Sequence, residues 1–391
     1  MFSPVPVDRL ELRSARLAKL RRALDAGGFD AIIVSAAENV LYATGYESIP
    51  SFLNPRTEAA AIVTSDRLLL VVAAADFAPS VAEGMAVDDV YPYGRFYYSG
   101  DAPSAHVSVR HETPAAALAQ ALHGLKPGNT LLEASRLSPA SIATISAWTG
   151  AAGDASSFIL DVRATKLHAE IEMMRRAAHL AEQGIEAGLR AAAPGVTDRE
   201  VGAAVASAMA SGGALPRNVT VAGGPRSALA DVLNAERPLQ RGDLLRFDVG
   251  CSYYGYQSDM ARTAVVGEPT SLQRDRYAAL LAGQEAGMRR AVAGATGAEV
   301  FAAAVAEVER CGLSPFRRHH VGHAIGLAGY ESPVVAPDSV ERLREGAVLC
   351  IETPYYEPGW GGMMVEDTGV VSRDGFELLT TIDRSLRIID V

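Results

Sequence analysis

The chain has 391 residues, of which 49% are hydrophobic and 21% are charged, and its formal net charge is −10. This length and composition predict two or three globular domains, and the excess of acidic residues disfavours binding to nucleic acids. The longest apolar runs, such as Leu68–Ala75, fall well short of the roughly 20 residues that cross a membrane. Charged N-terminal residues and three sparse cysteines complete the pattern of a soluble, cytoplasmic protein without a disulfide framework.

Helix and strand patterns alternate in the first part of the sequence, and we expect a smaller α/β domain over residues 1–160. Periodic leucines predict a helix over Arg9–Ala26, which ends at a pair of glycines. A short apolar run predicts a buried strand over Ala31–Val34. The predicted elements that follow are a hairpin over Ala59–Thr64 and Leu68–Val72, a helix over Pro114–His123, a strand over Asn129–Glu133 and a helix over Pro139–Trp148. No catalytic motif occurs here.

The second part of the sequence contains an internal repeat, which begins after a long predicted helix over Ala169–Ala192. Gly195–Val201 and Gly294–Val300 share glycine, threonine, glutamate and valine at an offset of 99 residues, and each opens a second helix. Arg241–Asp248 and Glu345–Glu352 align at an offset of 104 residues, and each ends in an acid. The repeat unit is therefore two helices followed by strands.

Each half of the repeat carries two acids on a predicted hairpin. A bend bracketed by glycines brings Asp248 and Asp259 side by side, and a Pro-Gly turn does the same for Glu352 and Glu366. If the halves fold about a pseudo-two-fold axis, the four carboxylates converge, and such like charges require cations. His323 lies between glycines in the segment that joins the hairpins. This oxygen-rich set suits a pair of Mn²⁺, Co²⁺, Fe²⁺ or Zn²⁺ ions, which can activate water for hydrolysis.

Five segments of the sequence resemble the signature segments of the pita-bread metallopeptidases, the group that includes methionine aminopeptidase, aminopeptidase P and prolidase. They are GDLLRFDVG, QSDMARTAVVGEP, HHVGHAIGL, CIETPYY and MVEDTGVV, and ENVLYATGY resembles the creatinase/prolidase N-terminal domain. The resemblance implies an α+β protein in which the smaller α/β domain precedes a pita-bread catalytic domain over residues 161–391. It also implies hydrolysis of Xaa-Pro bonds in dipeptides or short peptides by a metal-bridging hydroxide, in a homodimer.

The same resemblance assigns the metal ligands. It implies that Asp248, Asp259 and Glu366 hold the first ion, with Asp259 and Glu366 bridging to the second. His323 and Glu352 complete the second site, and Glu352 is also the general base. We expect two divalent ions, with Mn²⁺ the first choice and Co²⁺, Fe²⁺ and Zn²⁺ as alternatives.

Two positions depart from the peptidase pattern, which has a histidine at each. Asp231 stands upstream of the GD turn, and Tyr330 stands before a glutamate. A tyrosine hydroxyl can donate a hydrogen bond to an oxyanion. We therefore assign Tyr330 a catalytic role, together with His319 or His320, and place Asp231 among the substrate-binding residues.

Arg246 lies two residues before Asp248, so it shares a face of the strand with that acid. Its guanidinium can orient the Asp248 carboxylate or bind a substrate carboxylate through two parallel hydrogen bonds. The second alternative favours dipeptides and other small acids. One of His319 and His320 can line the site, or the segment Arg317–His320 can form a solvated basic patch.

Two other functions stay open. The first is a pita-bread hydrolase or lyase that acts on a small carboxylate-bearing substrate other than a peptide, which the residues at positions 231 and 330 favour. The second is a binding module without catalysis, against which the complete ligand set argues. The sequence contains no GxGxxG, Walker A, GxSxG or HExxH motif, so other common enzyme chemistries lack their usual anchors.

Overall fold

The structure is a computed structural model that describes residues 8–54, 56–99 and 110–390. Internal contacts divide the chain into two compact units, with the division between Arg163 and Ala164. No helix within the described ranges is long and apolar enough to cross a membrane.

The first unit contains every helix and strand that its sequence predicts, with ends that differ by at most one residue. Its helices are Arg9–Gly27 (α1), Ala37–Thr44 (α2), Ile49–Leu53 (α3), Phe77–Ala82 (α4), Pro114–Leu122 (α5), Pro139–Thr149 (α6) and Ser156–Ala164 (α7). Its strands are Ala31–Val34 (β1), Ala60–Thr64 (β2), Leu68–Ala73 (β3), Val90–Tyr93 (β4), Thr130–Leu132 (β5) and Gly153–Asp154 (β6).

These strands form one mixed sheet in the order β4-β3-β2-β1-β5-β6. The predicted hairpin is β2–β3, which pairs antiparallel, whereas β1 and β5 pair in parallel. Apolar side chains of α5 and α6, such as Leu118 and Ile145, pack against Ile33 and Ile62 of the sheet. The apolar faces that the sequence pattern predicts are therefore buried against each other.

The second unit consists of two helix pairs and a large sheet. Its helices are His168–Ala191 (α8), Asp198–Ser211 (α9), Ser271–Arg290 (α10) and Gly297–Arg310 (α11). Its strands are Leu215–Gly223 (β7), Leu244–Tyr253 (β8), Tyr256–Gln257 (β9), Met260–Val266 (β10), Gly322–Ala324 (β11), Glu331–Val334 (β12), Val348–Glu352 (β13), Tyr355–Glu357 (β14), Gly361–Met363 (β15), Glu366–Val371 (β16), Phe376–Leu378 (β17) and Arg387–Ile389 (β18).

The predicted repeat is visible at the helix starts. Thr197 caps α9, where its hydroxyl accepts a hydrogen bond from the Glu200 backbone and the Glu200 carboxylate accepts one from the Thr197 backbone. Thr296 and Glu299 form the same reciprocal cap at the start of α11. The threonine and glutamate that recur in the sequence are thus explained by a local structure that begins a helix.

The two halves of the repeat share one sheet, whose main path is β12-β11-β13-β16-β10-β8-β7. The first half supplies β7, β8 and β10, the second supplies β11, β13 and β16, and the halves join where Ala261 of β10 pairs with Glu366 of β16. Helices α8 and α9 cover the first half of the sheet, and α10 and α11 cover the second. This arrangement confirms the predicted α+β fold and places the junction of the halves at the centre of the sheet.

Candidate metal centre

Four carboxylates converge at the junction of the two halves. Asp248, Asp259 and Glu366 each place a carboxylate oxygen within 4.8 Å of the others. Glu352, the last residue of β13, lies directly opposite Glu366 in the register of β13 and β16. The sequence reasoning therefore named acids that the sheet brings together from both halves.

In each half, a glycine allows two backbone segments to approach closely beside the acids. In the first half, a Cβ at Gly250 would lie 2.2 Å from the carbonyl oxygen of Ser258, the residue before Asp259. In the second half, a Cβ at Gly322 would lie 2.0 Å from the carbonyl oxygen of Cys350. Glycine is required at both positions because any other residue would displace the strand that carries a site residue.

His323 reaches the carboxylates from β11, and its ring is buried. Its Nδ1 lies 3.0 Å from the carbonyl oxygen of Ala324, and its Nε2 lies 3.9 Å from Oδ2 of Asp259. When Nδ1 donates to the carbonyl, Nε2 keeps a lone pair for a cation, which is the usual arrangement of a ligating histidine. Cys350, opposite His323 in the sheet, also has its sulfur within 4.8 Å of ligand atoms of His323 and Glu366.

Ionisation differs among the four acids. Burial raises the pKa of Asp248 to about 6. Burial, followed by the charges of neighbouring carboxylates, raises the pKa of Asp259 and that of Glu366 well above the ordinary range. Burial also acts to raise the pKa of Glu352, but a hydrogen bond and the charge of His320 outweigh it, and the pKa of Glu352 is lowered. The pKa of three acids is therefore raised, and positive charge at the centre would favour their ionised forms.

The donor set fits divalent cations. The buried Oδ1 of Asp259 has no hydrogen-bond partner in the described part of the chain. A buried carboxylate oxygen without a partner is costly, and here it lies among three further carboxylates and one imidazole. Oxygen-rich sites with an imidazole are the sites that Mn²⁺ and similar divalent ions take.

Arg246 donates its hydrogen bonds to acceptors within the protein. Its fully buried guanidinium donates from Nη1 to Oδ2 of Asp248 at 3.1 Å and from Nε to the carbonyl of Ser227 at 3.1 Å. Its Nη2 donates to the carbonyls of Leu229 and Ala230, each at 2.6 Å. The structure favours the orienting alternative. The substrate-binding assignment of Arg246 needs correction, because these contacts and the burial leave no exposed guanidinium face for a substrate carboxylate.

Sequence reasoning missed a second group that holds Asp248. Nδ2 of Asn218 on β7 donates to Oδ1 of Asp248 at 2.8 Å. Only the pairing of β7 with β8 brings the two residues together, so no local sequence signal marks Asn218.

Asp231 is exposed, on the bend that follows the carbonyls bound by Arg246, and its charge acts to raise the pKa of Asp248. Asp231 thus lies near the centre but outside its buried part.

The predicted catalytic residues take different positions. His320 is buried, and its Nδ1 lies 3.0 Å from Oε1 of Glu352. His319 is exposed, with its ring centroid 4.2 Å from that of His320. Tyr330 is 61% exposed, and its ring stacks on the ring of His323 with centroids 3.6 Å apart. His320 therefore contacts Glu352, Tyr330 stacks on His323, and His319 lies at the exposed rim.

A buried ion pair holds the segment that carries Tyr330. Nζ of Lys166 lies 2.9 Å from Oε2 of Glu331, and the two side chains are only 2% and 3% exposed. The backbone of Ala328 also donates to Oε1 of Glu331 at 3.2 Å. Sequence analysis did not single out Lys166, because 165 residues separate it from its partner.

Known proteins are similar to this chain in both sequence and fold. Residues 172–373 match Metallopeptidase family M24, and residues 16–165 match the Creatinase/Prolidase N-terminal domain. The Xaa-Pro dipeptidase of Pyrococcus furiosus is 34% identical over 230 residues, which are 58% of this chain and 66% of the relative.

Solved structures extend the similarity to nearly the whole chain. The prolidase of Pyrococcus horikoshii OT3 is 26% identical, with a TM-score of 0.78 over 95% of this chain and 99% of that protein. The Xaa-Pro dipeptidase of Bacillus anthracis is 25% identical, with a TM-score of 0.80 over 96% and 99%. The match to the family covers more than half of the chain and includes every acid of the centre. The chain therefore belongs to metallopeptidase family M24, with a creatinase/prolidase-type N-terminal domain.

Proposed function

We propose that this protein hydrolyses Xaa-Pro bonds in dipeptides or short peptides with the help of two divalent ions, Mn²⁺ being the first choice. The convergence of four carboxylates and His323 around the unpartnered Oδ1 of Asp259 carries the proposal. The substrate class comes from the relatives, which are named Xaa-Pro dipeptidase and prolidase. The predicted cytoplasmic location and homodimer are parts of the same proposal.

The ligands divide between the two halves of the repeat. Asp248, Asp259 and Glu366 would hold one ion, and His323 and Glu352 would complete the second. When bound, such ions supply the positive charge that activates water and polarises a peptide carbonyl. The charge also explains how acids with raised pKa values can be ionised together at neutral pH.

Glu352 is the proton acceptor in this proposal. Its pKa is lowered, so its carboxylate is ionised at neutral pH and can take the proton of the attacking water. Nδ1 of His320, 3.0 Å from Oε1 of Glu352, orients that carboxylate. His319 at the rim has no assigned contact with the reacting atoms.

Tyr330 is the hydrogen-bond donor. Burial, together with the charges of Glu352 and Glu366, raises the pKa of its phenol, which therefore keeps its proton at neutral pH. A neutral phenol beside the carboxylates can donate to the carbonyl oxygen of the substrate as negative charge develops on it.

A second candidate is a hydrolase or lyase that acts on a small carboxylate-bearing substrate other than a peptide. The exposed carboxylate of Asp231 beside Asp248 favours it, because a fixed negative charge cannot donate a hydrogen bond to a peptide carbonyl. The same metal centre can serve either chemistry.

The test is an assay of free proline released from a panel of Xaa-Pro dipeptides by the Mn²⁺-loaded protein. Xaa-Pro-Yaa tripeptides, scored for the freed first residue, separate a dipeptidase from an aminopeptidase. Asp259→Ala should reduce turnover by more than about 100-fold, because loss of a ligand costs more than loss of an outer residue. Glu268→Gln, at an 81% exposed side chain, is the control. Full activity in Asp259→Ala would refute the site, and two bound ions without peptide turnover would favour the second candidate.

A further inference from the structure

Arg318 lies at the edge of the metal centre, in the loop between α11 and β11. Its guanidinium carbon lies 5.5 Å from the centre of the Tyr356 ring. The same ring lies 5.2 Å from the guanidinium carbon of Arg246, which binds Asp248, and His320, two residues after Arg318, lies 3.0 Å from Glu352. The sequence is compatible with a solvated basic patch at Arg317–His320, but the Arg318 side chain is partly buried.

Arg318 donates no hydrogen bond to any residue in the described part of the chain. Its Nε is buried and has no acceptor, and no carboxylate in the described ranges forms an ion pair with it. Arg246 lies near the same Tyr356 ring, at 5.2 Å, yet it is hydrogen-bonded to Asp248 and to three carbonyls. The Arg246 guanidinium is therefore hydrogen-bonded within the protein, whereas the Arg318 guanidinium has no hydrogen-bond acceptor among the described residues.

A partly buried guanidinium without an acceptor indicates a ligand that is itself an acceptor. Its planar donors match a carboxylate, which accepts two parallel hydrogen bonds. The Tyr356 ring restrains the guanidinium through a cation–π contact, so little side-chain freedom is lost on binding. The chemistry therefore favours an anionic group on the substrate.

We propose that Arg318 binds the free carboxylate of the substrate, which in an Xaa-Pro dipeptide belongs to the proline. The inference rests on the proposed function and narrows its substrate class. The proline carboxylate belongs to the residue that follows the scissile bond, and Arg318 lies two residues before His320, which contacts the proton acceptor Glu352 at 3.0 Å. A short substrate can thus reach both groups, whereas a longer peptide has no charge at that position. Arg318 takes the role that the sequence reasoning gave to Arg246.

The alternative is that Arg318 only balances the charge of the acids around it. In that case its loss would lower the turnover of substrates with and without a free carboxylate to the same extent. Carboxylate binding predicts a selective loss, confined to the acidic substrate and expressed in KM. The ratio between a dipeptide and its amide therefore separates the two roles.

The experiment compares Ala-Pro with Ala-prolinamide in the wild type, Arg318→Gln and Arg318→Lys, all loaded with Mn²⁺. We expect the wild type to prefer Ala-Pro and Arg318→Gln to lose about 10-fold or more of that preference through KM. Arg318→Lys should recover part of it. Arg317→Gln is the matched control, because Arg317 is the exposed neighbour. An unchanged preference in Arg318→Gln, or an equal loss on both substrates, would overturn the inference.

A binding measurement separates this inference from the proposed function. Isothermal titration calorimetry of the Mn²⁺-loaded proteins with proline and with prolinamide needs no turnover. Tighter binding of proline in the wild type that Arg318→Gln abolishes supports the inference, even if no Xaa-Pro substrate is hydrolysed. Equal binding of the two probes by the wild type overturns it, even if dipeptides are hydrolysed. Circular dichroism melting of each variant shows whether it is folded.

Discussion

In the candidate metal centre, burial raises the pKa of acidic side chains and therefore favours their protonated forms. The pKa of Glu366 is raised well above its ordinary range, by burial first and then by the charges of Asp259 and Glu352. The folded chain therefore binds more protons at this residue than the unfolded chain does. As pH rises above the ordinary range of a glutamate, Glu366 lowers the free energy of unfolding of the metal-free protein.

Glu366→Gln should therefore stabilise the metal-free protein in a pH-dependent way. The variant should melt at a higher temperature than the wild type at pH 7.5, and the difference should shrink towards pH 4, where Glu366 is protonated in both states. Calorimetric melting in the presence of a chelator checks this. Glu268→Gln, on the surface, should show no such trend. A Glu366→Gln variant that is less stable at pH 7.5 than at pH 4, relative to the wild type, would contradict the account.

We propose that Arg246 acts through the metal ligand Asp248 rather than on the substrate. Its hydrogen bond to Oδ2 of Asp248 fixes the orientation of that carboxylate. Arg246→Lys keeps the charge but loses the geometry that joins Asp248 to three carbonyls. We expect Mn²⁺ to bind about 10- to 100-fold more weakly, as is typical for a residue that orients a ligand. Calorimetric titration with Mn²⁺ measures the change, with the half-exposed Arg274→Lys as control. Unchanged Mn²⁺ affinity would refute the orienting role.

At the scale of elements, the segment with Tyr330 depends on the buried pair of Lys166 and Glu331. Lys166→Met should destabilise the second unit by about 3–5 kcal/mol, because it removes the cation that is paired with a buried carboxylate. Urea unfolding provides the measurement. The double variant Lys166→Met/Glu331→Leu should recover much of the loss, since it removes both charges. A single variant as stable as the wild type would show that the ion pair does not hold this segment.

Helices, strands and the repeat could be predicted because their signals are local. Leucine spacing defines α1, and the Thr-x-x-Glu caps define the starts of α9 and α11. The acids were found because each lies in a repeated strand pattern. The partners of these acids could not be predicted in the same way. Asn218 reaches Asp248 only through strand pairing, and the role of Arg246 depends on where three loop carbonyls lie. Arg318 stands out only once its burial and lack of a partner are known.

At the scale of the whole molecule, the repeat explains why the centre lies where it does. Each half brings two acids to the seam between β10 and β16, and neither half alone holds enough ligands for two ions. The halves are not equivalent in charge. The first has Arg246 and Asn218 on Asp248, and the second has His320 on Glu352. A repeated scaffold thus holds acids in unlike surroundings, and this difference supports our proposal that Glu352 accepts the proton.

The most direct test of this account is a metal titration of the reaction. Metal-free protein receives Mn²⁺ in steps, and free proline released from Ala-Pro is measured at each step. The account predicts no release without metal and a rise that saturates at two Mn²⁺ per chain, with Asp259→Ala inactive throughout. Proline release that is independent of added metal would contradict the assignment of the four acids and His323 to a hydrolytic metal centre. No release at any Mn²⁺ concentration would contradict Xaa-Pro hydrolysis.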